Sequence, residues 1–180
     1  MSQREPLSRE AREAALVDIR GQDLTRIVQA AKLLSSDPST TSRLVPLLET
    51  EQRMEVRQGI LYALSWHGDL GTWDLMVRIL ADTRETPRVR GQAAEGLSYM
   101  FHEVTPGSPE FEAAVAVLRE ALKDPSPEVR YCAVNTLGAT RHPPLIPVIE
   151  AMLEDKTPVE GWVGTVADEA ARALEFMDGA

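Results

Sequence analysis

The sequence predicts an all-α protein built from tandem helix pairs, and three observations carry that prediction. The segment DPSPEVRYCAVNTLG over residues 124–138 joins a turn, a helix start and an apolar stripe in one run. Ser126 stands at the N-cap, and Pro127 suits the first helical position because its missing N–H had no partner there. Val129, Ala133, Thr136 and Leu137 then mark one helical face. That face recurs at Val56, Ile60, Ala63 and Leu64, at Val89, Ala93, Gly96 and Leu97, and more weakly at Val166, Ala170, Ala173 and Leu174. An arginine follows three of the four valines directly, as Arg57, Arg90 and Arg130. The valines stand 33, 40 and 37 residues apart, a period typical of repeat arrays in which each unit buries its apolar face against its neighbours.

Taken in chain order, residues 7–35 carry two helical patterns, roughly 7–20 and 23–35, and predict a pair that caps the N-terminal end. STTSRLVPLLET precedes the first copy of the stripe and completes a repeat at 39–67, in which Pro46 should kink or shorten its helix. LGTWDLMVRIL opens the repeat at 70–102, SPEFEAAVAVLREAL the one at 108–141, and PPLIPVIEAML the one at 143–178. Every long apolar segment has period 3.6, and Pro, Gly and Ser fall between segments. The expectation is five antiparallel helix pairs, no β-sheet, and a single repeat domain over 1–180.

Asp124, then Val129-Arg130, Ala133 and a Leu137-Gly138 ending resemble the HEAT-repeat signature, in the short bacterial form named after phycobiliprotein lyases. Glu51 before Val56-Arg57 fits the pattern conservatively, Asp82 stands two residues too early before Val89-Arg90, and the copy at Val166 lacks the arginine. The resemblance covers nearly the whole chain and implies a right-handed α-α superhelix, a HEAT-like solenoid. On a helical wheel the residue after each valine projects sideways, along the repeat axis. Arg57, Arg90 and Arg130 are therefore expected between neighbouring units, pairing with Asp124, Glu51 or nearby acids and with loop carbonyls, in the ladder that the resemblance also implies.

Composition narrows the function. Hydrophobic residues make up 43% of 180, and a chain of this length buries about 70% of its unfolded surface. The first twenty residues carry Arg4, Glu5, Arg9, Glu10, Arg12 and Glu13 without an apolar run, so neither a signal peptide nor a membrane anchor is expected and the cytoplasm is the default location. The one cysteine, Cys132, lies inside a repeat helix and reads as a structural thiol. The net charge is −9, and from Leu145 to Ala180 eight acidic residues face only Lys156 and Arg172. No face gathers the Lys and Arg that a phosphate backbone needs, which argues against nucleic acid. The acidic surface keeps the protein soluble and would steer a basic partner.

Opposite the core stripe, the face expected to line a concave surface carries Gln58, Tyr62 and Ser65, then Glu95 and Ser98, then Tyr131 and Asn135, then Asp168, Arg172 and Glu175. Aromatics among hydrogen-bonding groups suit a protein interface better than a small-molecule pocket. Gln58, Tyr62, Glu95, Tyr131, Asn135, Asp168 and Arg172 are the candidate contacts. Trp66, Tyr99 and Phe176 share a flanking position that packs between repeats. His67, His102 and His142 fall near the ends of second helices, too far apart to converge on one ion. The iron-binding HEAT-type hydroxylases carry His-Glu pairs where this chain has Gln58-Gly59, Gly91-Gln92 and Tyr131-Cys132. With no phosphate loop, nucleophile elbow or His-Glu-x-x-His either, the sequence predicts a non-enzymatic, cofactor-free adaptor, monomeric alone, that binds a partner protein. Two alternatives stay open: an acidic antidote that occludes a basic toxin or nuclease, and a lyase or chaperone for a tetrapyrrole-bearing protein.

Overall fold

The computed structural model describes residues 7–179, so Arg4 and Glu5 lie outside the described residues. Among these, ten α-helices and several single 3-10 turns make up the regular structure, with no strand beyond one isolated bridge between Pro158 and Thr165. The chain divides into two compact units, one up to Thr72 and one from Trp73 onward.

The first unit holds α1 (Arg9–Asp18), α2 (Leu24–Leu34), α3 (Thr41–Thr50) and α4 (Met54–His67). Ser8 and Asp23 start the first two helices by accepting the backbone N–H groups of Ala11 and Arg26, the usual way to satisfy orphan donors. Gly59 faces α2, where a β carbon would meet Ala31 and Ile27 at 3.4 Å, an ordinary van der Waals contact. Ile19, Leu34, Leu44, Leu48, Ile60 and Leu64 form the sealed core. Gly68 ends α4 in the left-handed region at φ 61°, a conformation glycine adopts without penalty. Pro46 does not end α3, which continues through it to Thr50.

Polar ties join the two pairs of this unit. Arg12 reaches Asp37 at 2.7 Å and Arg43 reaches Glu13 at 2.8 Å. His67, the last residue of α4, places Nε2 2.9 Å from the Leu34 carbonyl and Nδ1 2.8 Å from the Thr41 hydroxyl. The carbonyl can only accept, so Nε2 carries a proton, while the single proton of the Thr41 hydroxyl has both Nδ1 and the Pro38 carbonyl, 3.0 Å away, within reach.

The second unit stacks α5 (Trp73–Ala81), α6 (Pro87–Ser98), α7 (Pro109–Ala121), α8 (Pro127–Ala139), α9 (Ile146–Glu150) and α10 (Val166–Asp178). Proline opens α6, α7 and α8, as the sequence pattern predicts for α8. The second helices form one layer, α6 on α8 on α10, and α5 packs on α7 in the other. Gly138 sets the α8–α10 distance, because a β carbon there would come within 2.6 Å of the Ala173 side chain. Trp73, Phe101, Phe111 and His142 run edge to face through the outer layer, with ring centroids 4.9, 5.5 and 5.2 Å apart.

Two local expectations are corrected. Ser126 occupies the N-cap of α8, but its side chain caps nothing; Asp124 Oδ1 accepts the Ser126 N–H at 2.8 Å and shapes the turn instead. PPLIPVIEAML does not form a full helix: α9 has 5 residues and passes into a 3-10 turn at Ala151–Glu154. Pro143 and Pro144 lie in the 3-10 turn before α9 and Pro147 in its first turn, and Pro158, Gly161 and Gly164 keep residues 155–165 irregular. That loop is nonetheless fastened, by Val159 N–H to the Gly164 carbonyl at 3.3 Å and Ala167 N–H to the Asp155 carbonyl at 2.8 Å.

Candidate functional site

The signature arginines take up the turns of the repeats. Arg57 donates to the Leu48 and Glu51 carbonyls of its own unit at 2.6 and 2.9 Å, while the Glu51 carboxylate pairs with Arg53. Arg90 donates to the Leu80 carbonyl and forms an ion pair with Asp124 of the next repeat, with the two side chains only 8% and 6% exposed. Arg130 does not pair with the Asp124 carboxylate. It takes the Asp124 carbonyl at 2.7 Å and pairs with Asp155 of the following repeat, also at 2.7 Å. Burial opposes the charge on Asp155, but hydrogen bonds from Arg130 and Thr157 outweigh it and hold the carboxyl below its usual range. Each of these two arginines thus binds its own turn and an aspartate one repeat on.

The candidate contacts fall into both units. Gln58 and Tyr62 are half-buried on α4, where the Tyr62 ring lies 6.3 Å from Trp66, and Ser65 is buried with its hydroxyl on the Leu61 carbonyl. In the second unit, Glu95, Tyr131 and Asn135 come together on α6 and α8, and Arg172 joins them from α10. Asp168 does not. Its carboxylate accepts the Thr165 N–H at 2.7 Å and completes a capping box, so it belongs to the start of α10. Its neighbour Glu169 points inward instead and is the hub of the site.

Glu169 Oε1 accepts from the Asn135 amide at 2.8 Å, and Oε2 accepts from Arg172 Nε at 2.8 Å. The same guanidinium donates to the Tyr131 hydroxyl at 2.8 Å and to the Val163 carbonyl at 3.1 Å. Tyr131, expected as an exposed contact, is 6% exposed, because Trp162 from the 155–165 loop covers it at a centroid distance of 4.8 Å. Burial, with Glu169 beside it, pushes the Tyr131 phenol up to about 12. Burial also raises Glu95, whose carboxylate receives one hydrogen bond, from Gln92 at 3.1 Å. Glu95, Tyr131, Cys132, Asn135, Trp162 and Glu169 line an open cavity of about 90 Å³.

Of this constellation, pattern reading missed Trp162 and Glu169. Trp162 lies in a Pro- and Gly-punctuated stretch with no period to place it. The Thr165-x-x-Asp168 capping box was readable and would have assigned Asp168 to the cap. Trp66, Tyr99 and Phe176 each stay more than a third exposed, and Arg141 stacks over Phe176 at 4.2 Å. Among the described residues no group of three or more His, Cys, Asp and Glu side chains could hold a metal ion, and no helix is long and apolar enough to cross a membrane.

The model of the family described as HEAT repeats matches residues 85–175. The chain belongs to the HEAT-repeat family. Among solved structures this HEAT-repeat protein is similar to a chain in the complex of CpcE and CpcF of phycocyanin lyase from Nostoc sp. PCC7120, with a TM-score of 0.74 and 18% identity over 93% of this chain and 99% of that one. It is also similar to an engineered protein, with a TM-score of 0.59 and 20% identity over 94% of this chain and 80% of that one. No curated protein matches it by sequence. Its fold is the all-α, HEAT-like solenoid that the repeat spacing and the resemblance to the HEAT signature together implied.

Proposed function

We propose that this HEAT-repeat protein is a protein-binding subunit without catalysis of its own. It docks a partner on the polar and aromatic face of α6, α8 and α10, and Gln58 and Tyr62 on α4 offer a smaller face of the same chemistry. The observation that carries the reading is the arrangement of Trp162, Tyr131, Asn135 and Arg172 around the Glu169 carboxylate. Tryptophan and arginine are among the residues that dominate interface energies, and here the exposed Trp162 and Arg172 rest on the buried Tyr131 and, for Arg172, on the Glu169 hub before any partner arrives. A net charge of −9 favours a basic partner through steering. The phycocyanin lyase chain of the same fold is found in a complex of two different chains, which also fits a protein partner.

Photocrosslinking in the native cell tests this. A crosslinking residue at Asn135 or Ser98 is expected to give one discrete adduct, and the same residue at Glu112 on α7 none. Adducts only from α7, or equal adducts from both layers, would overturn the docking face.

The likeness to a phycocyanin lyase chain favours a second reading, in which the protein is a lyase or chaperone subunit for a tetrapyrrole-bearing protein. Incubation with a bilin and an apo-phycobiliprotein separates the two. A shifted visible band that persists after denaturation, formed only when this chain is present, would replace the adaptor reading.

A further inference from the structure

We propose that the cavity between α6, α8 and the 155–165 loop receives the side-chain ammonium of a lysine carried by the partner protein. The proposal rests on the docking face described above and names the chemistry that this face selects. The charge around the cavity is one-sided. Arg172 neutralises Glu169, but Glu95 forms no ion pair among the described residues and takes only the neutral Gln92 amide. No buried side-chain oxygen lacks a partner among the described residues, so the remaining Glu95 oxygen is open to the cavity rather than sealed in the protein.

The buried Cys132 thiol lines the same cavity. Its pKa is driven well above its usual range, first by burial and then by the charges of Glu95, Glu128 and Glu169. A cation entering beside Glu95 would relieve this excess of negative charge; an anion would deepen it.

The walls set the kind of cation. The ring of Tyr131 is already faced by Arg172 at 5.8 Å, so the aromatic surface left to an entering ammonium is that of the partly exposed Trp162. At about 90 Å³ the cavity has room for a slender alkyl chain with a compact head, and it lacks the cluster of carboxylates and histidines that a metal ion needs. Trp162 is 37% exposed at the mouth, so a chain that enters can still be attached to a protein surface outside.

The test is a titration of the whole protein, followed by NMR at the Trp162 indole and the Asn135 side-chain amide. The probes are Nα-acetyl-lysine methylamide and its neutral norleucine counterpart. The lysine probe is expected to move both signals in a saturable way, and the norleucine probe to leave them. Glu95→Gln should weaken lysine binding about fivefold, as expected for one partly exposed charge pair. Trp162→Ala, on an exposed loop that can lose its ring without unfolding a helix, should weaken it as well. Equal shifts with norleucine, or undiminished binding by both variants, would overturn the site. n-Butylammonium distinguishes the source: binding no tighter than the lysine probe fits a protein-borne lysine, whereas binding about tenfold tighter assigns the cavity to a free amine and overturns the proposal. Crosslinks at Asn135 without lysine binding would refute the cavity and keep the docking face. Lysine binding without crosslinks would refute the face.

Discussion

Removing the Asp124 carboxylate is the sharpest probe of what joins the repeats. The side chain is buried against an almost fully buried Arg90, and its second oxygen holds the Ser126 N–H. Asp124→Ala therefore leaves a mostly buried guanidinium with one remaining hydrogen-bond partner, the Leu80 carbonyl. Breaking a buried pair in this way costs about 3–5 kcal/mol. For a chain of this size each kcal/mol lowers the melting temperature by about 2–4 °C, so a fall of roughly 6–20 °C is expected in calorimetry. The double variant Arg90→Met with Asp124→Leu should recover most of that loss, since burying two apolar side chains replaces two desolvated charges. Arg84→Ala, at an ion pair on the surface, should leave the melt where it is. A loss below about 1 kcal/mol in Asp124→Ala, or a double variant no more stable than the single one, would show that the pair does not hold the repeats together.

Acid should weaken the first unit through His67. Burial disfavours the charged ring and lowers its pKa from 6.5, against the Leu34 carbonyl, which favours the charge. A depressed folded pKa gives stability that is present above the unfolded value and lost as pH falls through the folded one, so melting should drop below about pH 6.5 in the native chain. His67→Gln should flatten that part of the profile; an unchanged slope would refute the assignment. Two glycine replacements should differ in sign. Gly138→Ala drives a β carbon to 2.6 Å from Ala173 and should cost about 1–3 kcal/mol in chemical unfolding. Gly59→Ala meets its neighbours at 3.4 Å and should gain up to about 1 kcal/mol from helix propensity.

The repeat architecture was legible because its causes are local and periodic. A valine, an alanine and a leucine at helical spacing are readable one by one, and Pro127 and Gly68 punctuate the helices where backbone chemistry requires it. The ladder was half legible. That Arg90 and Arg130 lie between repeats follows from a helical wheel, but which aspartate each takes depends on loop length, and Asp155 reaches Arg130 only because the following segment bends back. Asp168 was placed on the binding face by the same wheel, which does not register a capping box at the helix start. Tyr131 and Asn135 were found by periodicity. Trp162 was not, since it reaches them from a loop whose path is set by bonds between residues that carry no repeating pattern.

The least regular repeat is the one that builds the site. The helix α9 has only 5 residues, and the chain left over in this repeat becomes the 155–165 loop. At its base Asp155 is held by Arg130, so the ladder that joins repeats also anchors the loop. Near its tip the Val163 carbonyl is held by Arg172, the same guanidinium that binds Glu169 and the Tyr131 hydroxyl. The Trp162 N–H closes onto the Val159 carbonyl at 3.1 Å, which fixes where the indole can lie. Ordering a bulky side chain at the moment of binding costs about 0.5–1.5 kcal/mol. A tryptophan placed by bonds at both ends of its loop has already met that cost during folding. The irregular last repeat therefore turns the stability of the scaffold into a prearranged aromatic wall over Tyr131, which a fully helical repeat with every residue in its ladder could not have supplied.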